Sequence, residues 1–196
     1  MKSYKVTKQN LMSDPYFFGY GSLVNLSTHS YADTHAATLA GYRRVWRDVP
    51  SYDAALLSIE AHEGHSIKGV IAQVPRADWS ALDQRESGYN RHLVTEHITC
   101  SDAFHPSACS VYQVPEKEVD AGKSLILLSY LDVVIQGFLH IHGSEGAAHF
   151  CATTQGWERG ILDDRDAPKY PRHRQLSNEE IHIVDQFINT QHVTKA

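Results

Sequence analysis

The chain has 196 residues, with 18 lysines and arginines against 23 aspartates and glutamates, giving a formal net charge of −5. One domain holds roughly 100–200 residues, so the length fits one domain, and 42% hydrophobic with 21% charged residues excludes a wholly disordered chain. The mild acidity argues against a nucleic-acid partner, which a basic stripe would announce, and no apolar run approaches the roughly 18–20 residues that a membrane crossing needs.

The first 12 residues read as a loose tail, and Met1 to Asn10 carries lysines without an apolar core behind them, so no signal peptide is expected. Strands follow. Tyr16 to Tyr20 is short and aromatic, bounded by Pro15 and Gly21; Ala37 to Arg47, Ala54 to Glu60 and Ile67 to Val74 are rich in branched and aromatic residues between Gly, Pro and Asp signals. Arg76 to Ser87 follows a proline and predicts a helix. His92 to Thr99 and Ala108 to Val114 predict two further strands. The period then changes. Leu131, Val134, Ile135 and Phe138 form one face of a helix over Ser129 to Ile141, with Ser129 and Asp132 resembling a capping box and Gly143 a stop. Glu145 to Thr153 suits another helix, and Gly156 to Gln175 reads as a loop. Ser177 with Glu180 forms a better capping box before the stripe Ile181, Val184, Phe187 and Ile188. Strands first and helices later indicate an α+β domain, a small curved sheet or barrel with helices against it, with residues 156–196 as a C-terminal extension.

Two segments stand out chemically. On the helix before Gly88, Trp79, Leu82 and Glu86 share one apolar stripe. A carboxylate there loses solvation, and in the last turn it also meets the negative end of the helix dipole; both effects push its pKa up. A carboxyl tuned upward can shuttle a proton near neutral pH. The plainer reading is an ion pair of Glu86 with Arg85, Arg91 or a strand arginine that holds the helix in place. The second segment is Phe17-Phe18-Gly19-Tyr20-Gly21-Ser22-Leu23, where two glycines let the backbone turn tightly and successive N–H groups can cradle an anion. It lacks the spacing of a dinucleotide or Walker loop and suits a small carboxylate better; an ordinary strand-to-turn exit is the alternative.

Phe18-Gly19-Tyr20-Gly21-Ser22-Leu23 followed later by Leu82-Asp83-Gln84-Arg85-Glu86-Ser87-Gly88-Tyr89 resembles the γ-glutamylcyclotransferase superfamily, which includes the AIG2-like and ChaC-like proteins. The resemblance covers roughly residues 16 to 150. It implies a small mixed β-barrel with flanking helices and release of 5-oxoproline from a γ-glutamyl compound. It also implies Glu86 as the catalytic acid/base, a substrate-binding loop of Gly19, Tyr20, Gly21, Ser22 and Leu23, and a substrate contact at Tyr130 in the Ser129-Tyr130-Leu131-Asp132 stretch. The expected partner is a small γ-glutamyl substrate; the reaction requires no cofactor and no metal, because nucleophile and electrophile sit in one molecule. The amides of Gly21, Ser22 and Leu23 are expected to grip the substrate's α-carboxylate. The non-enzymatic alternative is a module that keeps the pocket for binding or sensing; Glu86 argues against it, since an anion binder gains nothing from a second anion.

Other residue groups carry weaker signals. The pairs His62/His65 and His140/His142 lack a third ligand at recognisable spacing. Cys151 near His149 is expected to be a buried thiol rather than a nucleophile. Cys100, Cys109 and Cys151 are odd in number and widely spaced, as suits reduced thiols and a cytoplasmic location. Tyr42, Arg43, Arg44, Trp46 and Arg47 read as a strand with one packed face, from which Arg44 could reach the cavity and meet Glu86 or substrate. Trp157 and Tyr170 suggest either a lid or a dimer contact.

Overall fold

The frame of the molecule is one long antiparallel pair. In the computed structural model, which describes residues 13–116 and 124–190, β2 (Thr34–Arg47) lies against β3 (Leu56–Gln73) from Thr34 opposite Ala72 to Arg47 opposite Leu56. The predicted tail at residues 1–12 lies outside the described residues. The sequence predicts two strands where β3 is one. Its middle, Ala61 to Ser66, is mostly exposed and polar, so composition reads it as a break. The register does jump there, between Ala40 and Tyr42, and Gly41 and Gly64 take the positive φ that glycine adopts without penalty.

β1 is Tyr16–Gly19, β4 Asn90–Leu93, β5 Ile98–Cys100, β6 Cys109–Gln113 and β8 Thr154–Gln155. Among the described residues the main sheet has seven strands in the order β4-β6-β1-β3-β2-β5, with β8 pairing parallel to β2. The expected barrel is not closed: among the described residues, the edge strands β4 and β5 do not pair. The chain passes from one edge to the other through a 3-10 turn at Thr95–His97, whose His97 N–H bonds back to Val94 rather than into a ladder. This turn also splits the predicted strand His92–Thr99 in two. A small parallel pair, β7 (Ile126–Leu127) with β9 (Ile161–Leu162), stands apart from the main sheet.

Three helices complete the fold. α1 (Ser80–Arg85) is shorter than predicted. Pro75–Ala77 forms a 3-10 turn in which Arg76 and Ala77 have positive φ, and the helix starts only where Asp78 Oδ1 accepts the Ser80 N–H at 3.1 Å. α2 (Leu128–Ala152) is broken at Gly143, whose φ of +67 provides the stop expected there. The Ser129–Asp132 capping box does not form. The carboxylate of Asp164 accepts the Ser129 N–H at 2.7 Å and hydroxyl at 2.6 Å, while Asp132 pairs with Arg165 at 2.7 Å. At α3 (Asn178–Thr190) the predicted box is present in both directions: Ser177 N–H to Glu180 Oε2 at 2.7 Å, and Glu180 N–H to Ser177 Oγ at 3.3 Å. Between sheet and helices lies an apolar core that includes Phe18, Leu39, Trp46, Ile71, Phe138 and Phe150. Among the described residues no helix is long and apolar enough to cross a membrane.

Candidate functional site

The site begins where β1 leaves the sheet. The ladder with β3 runs to Gly19 opposite Val70, after which the backbone turns into a 3-10 segment at Ser22–Val24. A side chain at Gly19 would stand 2.7 Å from Leu23 Cβ, so glycine lets the turn fold back on its own strand. Beyond the ladder, Arg44 closes the gap. Its Nε–H donates to the Tyr20 carbonyl at 2.9 Å, Nη1 to Thr153 Oγ1 at 2.8 Å and Nη2 to the Lys68 carbonyl. Arg44 is 0% exposed, stacks 4.9 Å over Phe138, and has no carboxylate partner among the described residues. Burial lowers its pKa to about 9. Arg44 therefore neither meets Glu86 nor lines the cavity, contrary to the reach suggested by strand alternation; it holds the loop from behind.

Asn25 pins the far end of the turn, its Nδ2 donating to the Val133 carbonyl at 3.0 Å and Gln136 Oε1 at 2.9 Å. This close approach requires Gly137, where a Cβ would lie 2.6 Å from the Asn25 backbone nitrogen.

Glu86 caps the C-terminal end of α1, with φ −101 and ψ +34. Gly88, just past this helix, is not in the left-handed region that often ends helices at a glycine; it lets Tyr52 approach, since a Cβ there would clash with the Tyr52 hydroxyl. The Glu86 side chain is 15% exposed, and its Oε1 lies 3.1 Å from Arg85 Nε. Burial pushes its pKa up, and the nearby Arg85 and Arg172 guanidinium groups only partly offset this. Glu86 is thus ion-paired and also lines a cavity. Arg85 also donates to the Thr28 carbonyl at 3.0 Å and Ser22 Oγ at 3.2 Å, which ties the helix end to the glycine turn. Arg91 instead pairs with Asp83 and stacks 4.0 Å over Trp79.

Glu86 borders two connected hollows. A small inner pocket of about 30 Å³ is lined by Tyr20, Gly21, Ser22, Leu23 and Tyr89, among others. A cleft of about 580 Å³ opens beside it, sharing Ser22, Leu57, Glu86, Tyr89 and Tyr130. The structure thus brings Tyr20, Gly21, Ser22, Leu23, Glu86 and Tyr130 to one place; Gly19 lies beneath the turn and lines neither hollow. A side chain at Gly21 would stand 2.6 Å from the Tyr130 hydroxyl oxygen, so glycine at this position lets the phenol reach the turn.

Tyr20, Tyr89 and Tyr130 surround the carboxyl with phenols that burial keeps protonated well above neutral pH. Tyr20 donates to the Tyr112 carbonyl at 2.6 Å and Tyr89 to the Leu57 carbonyl at 3.1 Å. Tyr89, Tyr52 and Arg172 were missed as site residues. Tyr89 closes the second motif and carried the one available signal, an aromatic three positions beyond Glu86. Arg172 lies in a segment with no periodicity to read. Of the two aromatics suggested as a lid, Tyr170 does line the cleft and sits edge-on to Tyr130 at 4.9 Å. Trp157 does not: it packs inside, 5.7 Å from Trp46 and 5.0 Å from Phe187.

The remaining candidates do not converge. His140 binds Glu180 at 2.9 Å and His142 the Gly69 carbonyl at 2.8 Å, and among the described residues no group of three or more His, Cys, Asp or Glu could hold a metal ion. All three cysteines are free and buried. Burial raises the Cys151 pKa and lowers that of His149 to about 4, so the pair holds a neutral thiol beside a neutral imidazole.

A family model described as gamma-glutamyl cyclotransferase, AIG2-like, matches residues 17–130, which span both the glycine turn and the Glu86 helix. No curated protein matches closely enough to count as a relative. Among solved structures, one described as gamma-glutamyl cyclotransferase superposes with a TM-score of 0.56 at 14% identity, covering 87% of this chain and 98% of that one. An uncharacterised human protein gives 0.56 at 15% identity, covering 89% and 99%. YkqA from Bacillus subtilis gives 0.56 at 20% identity, covering 73% of this chain and 56% of that one. At these identities the superpositions speak for the fold.

Proposed function

Given that the chain belongs to the AIG2-like gamma-glutamyl cyclotransferase family, we propose that it releases 5-oxoproline from a γ-glutamyl compound, with Glu86 moving the protons. The observation that carries this reading is the position of Glu86: a mostly buried carboxyl at the seam between the glycine-turn pocket and the open cleft. In the reaction the substrate's α-amine attacks its own γ-carbonyl carbon. That amine has a pKa of roughly 8 and is mostly protonated at neutral pH. Glu86, as carboxylate, takes its proton. A new carbon–nitrogen bond closes the five-membered ring, Glu86 returns the proton to the departing nitrogen as that nitrogen's bond to the γ-carbonyl carbon breaks, and the second proton shed by the ring nitrogen passes through the same carboxylate to the released amine, leaving the neutral lactam. One carboxyl thus serves as base and then as acid, a task suited to a pKa raised toward neutrality.

The pocket's remaining work is to hold the glutamyl chain folded for attack. The amides of Gly21, Ser22 and Leu23 are the donors offered to the α-carboxylate, and the Tyr130 hydroxyl, which burial keeps protonated, has a proton to offer the carbonyl oxygen as negative charge develops there. Glu86→Gln should lower 5-oxoproline release by about 10²–10⁴-fold while the circular dichroism spectrum stays that of the wild type. Undiminished turnover in that variant removes Glu86 from the mechanism, and a wild type that binds γ-glutamyl compounds without ever forming 5-oxoproline is a binding module.

A further inference from the structure

The cleft is larger than its inner pocket, and part of its wall comes from a stretch of the chain beyond residues 17–130. At about 580 Å³ it falls within the roughly 300–1,000 Å³ of pockets that enclose whole small-molecule ligands, so it has room for what is attached to the glutamyl group as well. The lining that it does not share with the inner pocket includes residues 52–56 and, from beyond the family match, Leu162 with residues 169–172.

That second stretch is anchored. The Asp164 carboxylate accepts the Lys169 N–H at 2.9 Å as well as both Ser129 donors, and the Tyr170 N–H donates to Ser129 Oγ at 3.2 Å. Arg165 is bound to Asp132, and Arg174 Nε donates to Ser27 Oγ at 3.1 Å. The segment is thus held at both ends on the glycine turn and the start of α2.

It presents two cations to the cleft, Lys169 and Arg172, and among the described residues neither has a carboxylate within ion-pair distance. The third cation, Arg85, is already engaged by Glu86, Thr28 and Ser22. The one other acid on the walls is the exposed Asp53.

We propose that Lys169 and Arg172 form a carboxylate-recognition site for the departing half of the substrate, so that the compound cleaved is the γ-glutamyl derivative of an amino acid or peptide rather than of a simple amine. This rests on the γ-glutamyl reading above. A guanidinium and an ammonium converging on one carboxylate give charge-assisted hydrogen bonds, the strong class of polar contact, and anchoring the segment beforehand reduces the ordering that binding would otherwise require.

The test compares γ-glutamyl-alanine with γ-glutamyl-ethylamine, which differ only by the carboxylate. The wild type should favour the former in kcat/KM by about tenfold or more, mostly through KM, with the margin shrinking as salt rises. Lys169→Ala/Arg172→Ala should bring the two compounds to parity, and Asp53→Asn should widen the margin. Because Arg172 also influences Glu86, the readout is the ratio between substrates, not the absolute rate. Calorimetry on Glu86→Gln with the same two compounds reads the preference without turnover. Equal kcat/KM in the wild type, or a preference that survives the double variant, overturns this proposal while leaving 5-oxoproline release standing. A binding preference in Glu86→Gln, with no 5-oxoproline from either compound in the wild type, keeps the carboxylate site and removes the reaction. If neither compound binds or reacts, both proposals fall.

Discussion

Glu86 is held where burial disfavours its charged form. Its pKa is raised in the folded protein, chiefly by burial, so the native state binds its proton more tightly than the unfolded chain does. The sign follows: Glu86 favours the fold most fully below its unfolded pKa of roughly 4.3, and that contribution is lost as pH rises through the folded value. Glu86→Gln should therefore melt at a higher temperature than the wild type at pH 8, with the difference narrowing toward pH 4. A lower melting temperature at pH 8 means that the Arg85 pair outweighs the burial. In the wild type, 5-oxoproline release should fall on the acid side as the Glu86 carboxylate is protonated, which a pH–rate profile of kcat reads directly. Gly21 carries the second prediction at this scale. Its missing side chain is the space occupied by the Tyr130 hydroxyl, so Gly21→Val should push that hydroxyl away from the turn. Activity should drop by more than tenfold, with a stability loss of only about 1–3 kcal/mol, the usual range for overpacking. Unfolding at room temperature would make the turn structural instead. Arg44 was legible as a strand residue but not as a loop support, because its three acceptors come from Tyr20, Lys68 and Thr153, which only the fold brings together.

The start of α2 and the cleft wall share one fastening. Asp164 accepts the Ser129 N–H and hydroxyl and the Lys169 N–H, so a single carboxylate caps the helix and anchors the segment that carries Tyr170 and Arg172. Asp164→Ala should cost about 1–2 kcal/mol, as loss of a helix cap does, and should raise KM more than it lowers kcat. An unchanged KM would detach the segment from substrate binding. The sequence misassigned this cap to Asp132 because capping boxes are read at a spacing of three, whereas Asp164 reaches Ser129 from a distant part of the chain. The Ser177–Glu180 box, being local, was read correctly. The same distinction explains the strands. β1 and β6 are short apolar runs between clear signals and sit close to where the sequence puts them. β3 was split because alternation and burial fail over its exposed middle, where pairing with β2 maintains the strand.

Several buried or half-buried carboxylates favour the molecule as a whole in the opposite direction to Glu86. Burial alone would raise the pKa values of Asp48, Asp164 and Glu180, but their hydrogen bonds outweigh it: to Arg159 and Ser124, to Ser129 and Lys169, and to Ser177, Gln136 and His140. All three end below their usual range, so their stabilisation is present above the unfolded values and is lost as pH falls through the folded ones. Wild-type melting temperature should therefore decline steadily below about pH 4. A flat profile down to pH 2.5 would show that these pairs contribute nothing to the fold. The sequence by itself determined the α+β class, the glycine turn, the apolar stripe that carries Glu86, and the order in which strands give way to helices. Each of these is written in local spacing, and local spacing is what backbone sterics and side-chain periodicity respond to. Only the tertiary structure decided that the sheet stays open, that Arg44 supports the loop from behind rather than facing Glu86, that the Tyr130 hydroxyl reaches Gly21, and that Lys169 and Arg172 border the cleft. Those are contacts between residues far apart in the chain, set by which hydrogen-bonding groups find partners once the core has closed.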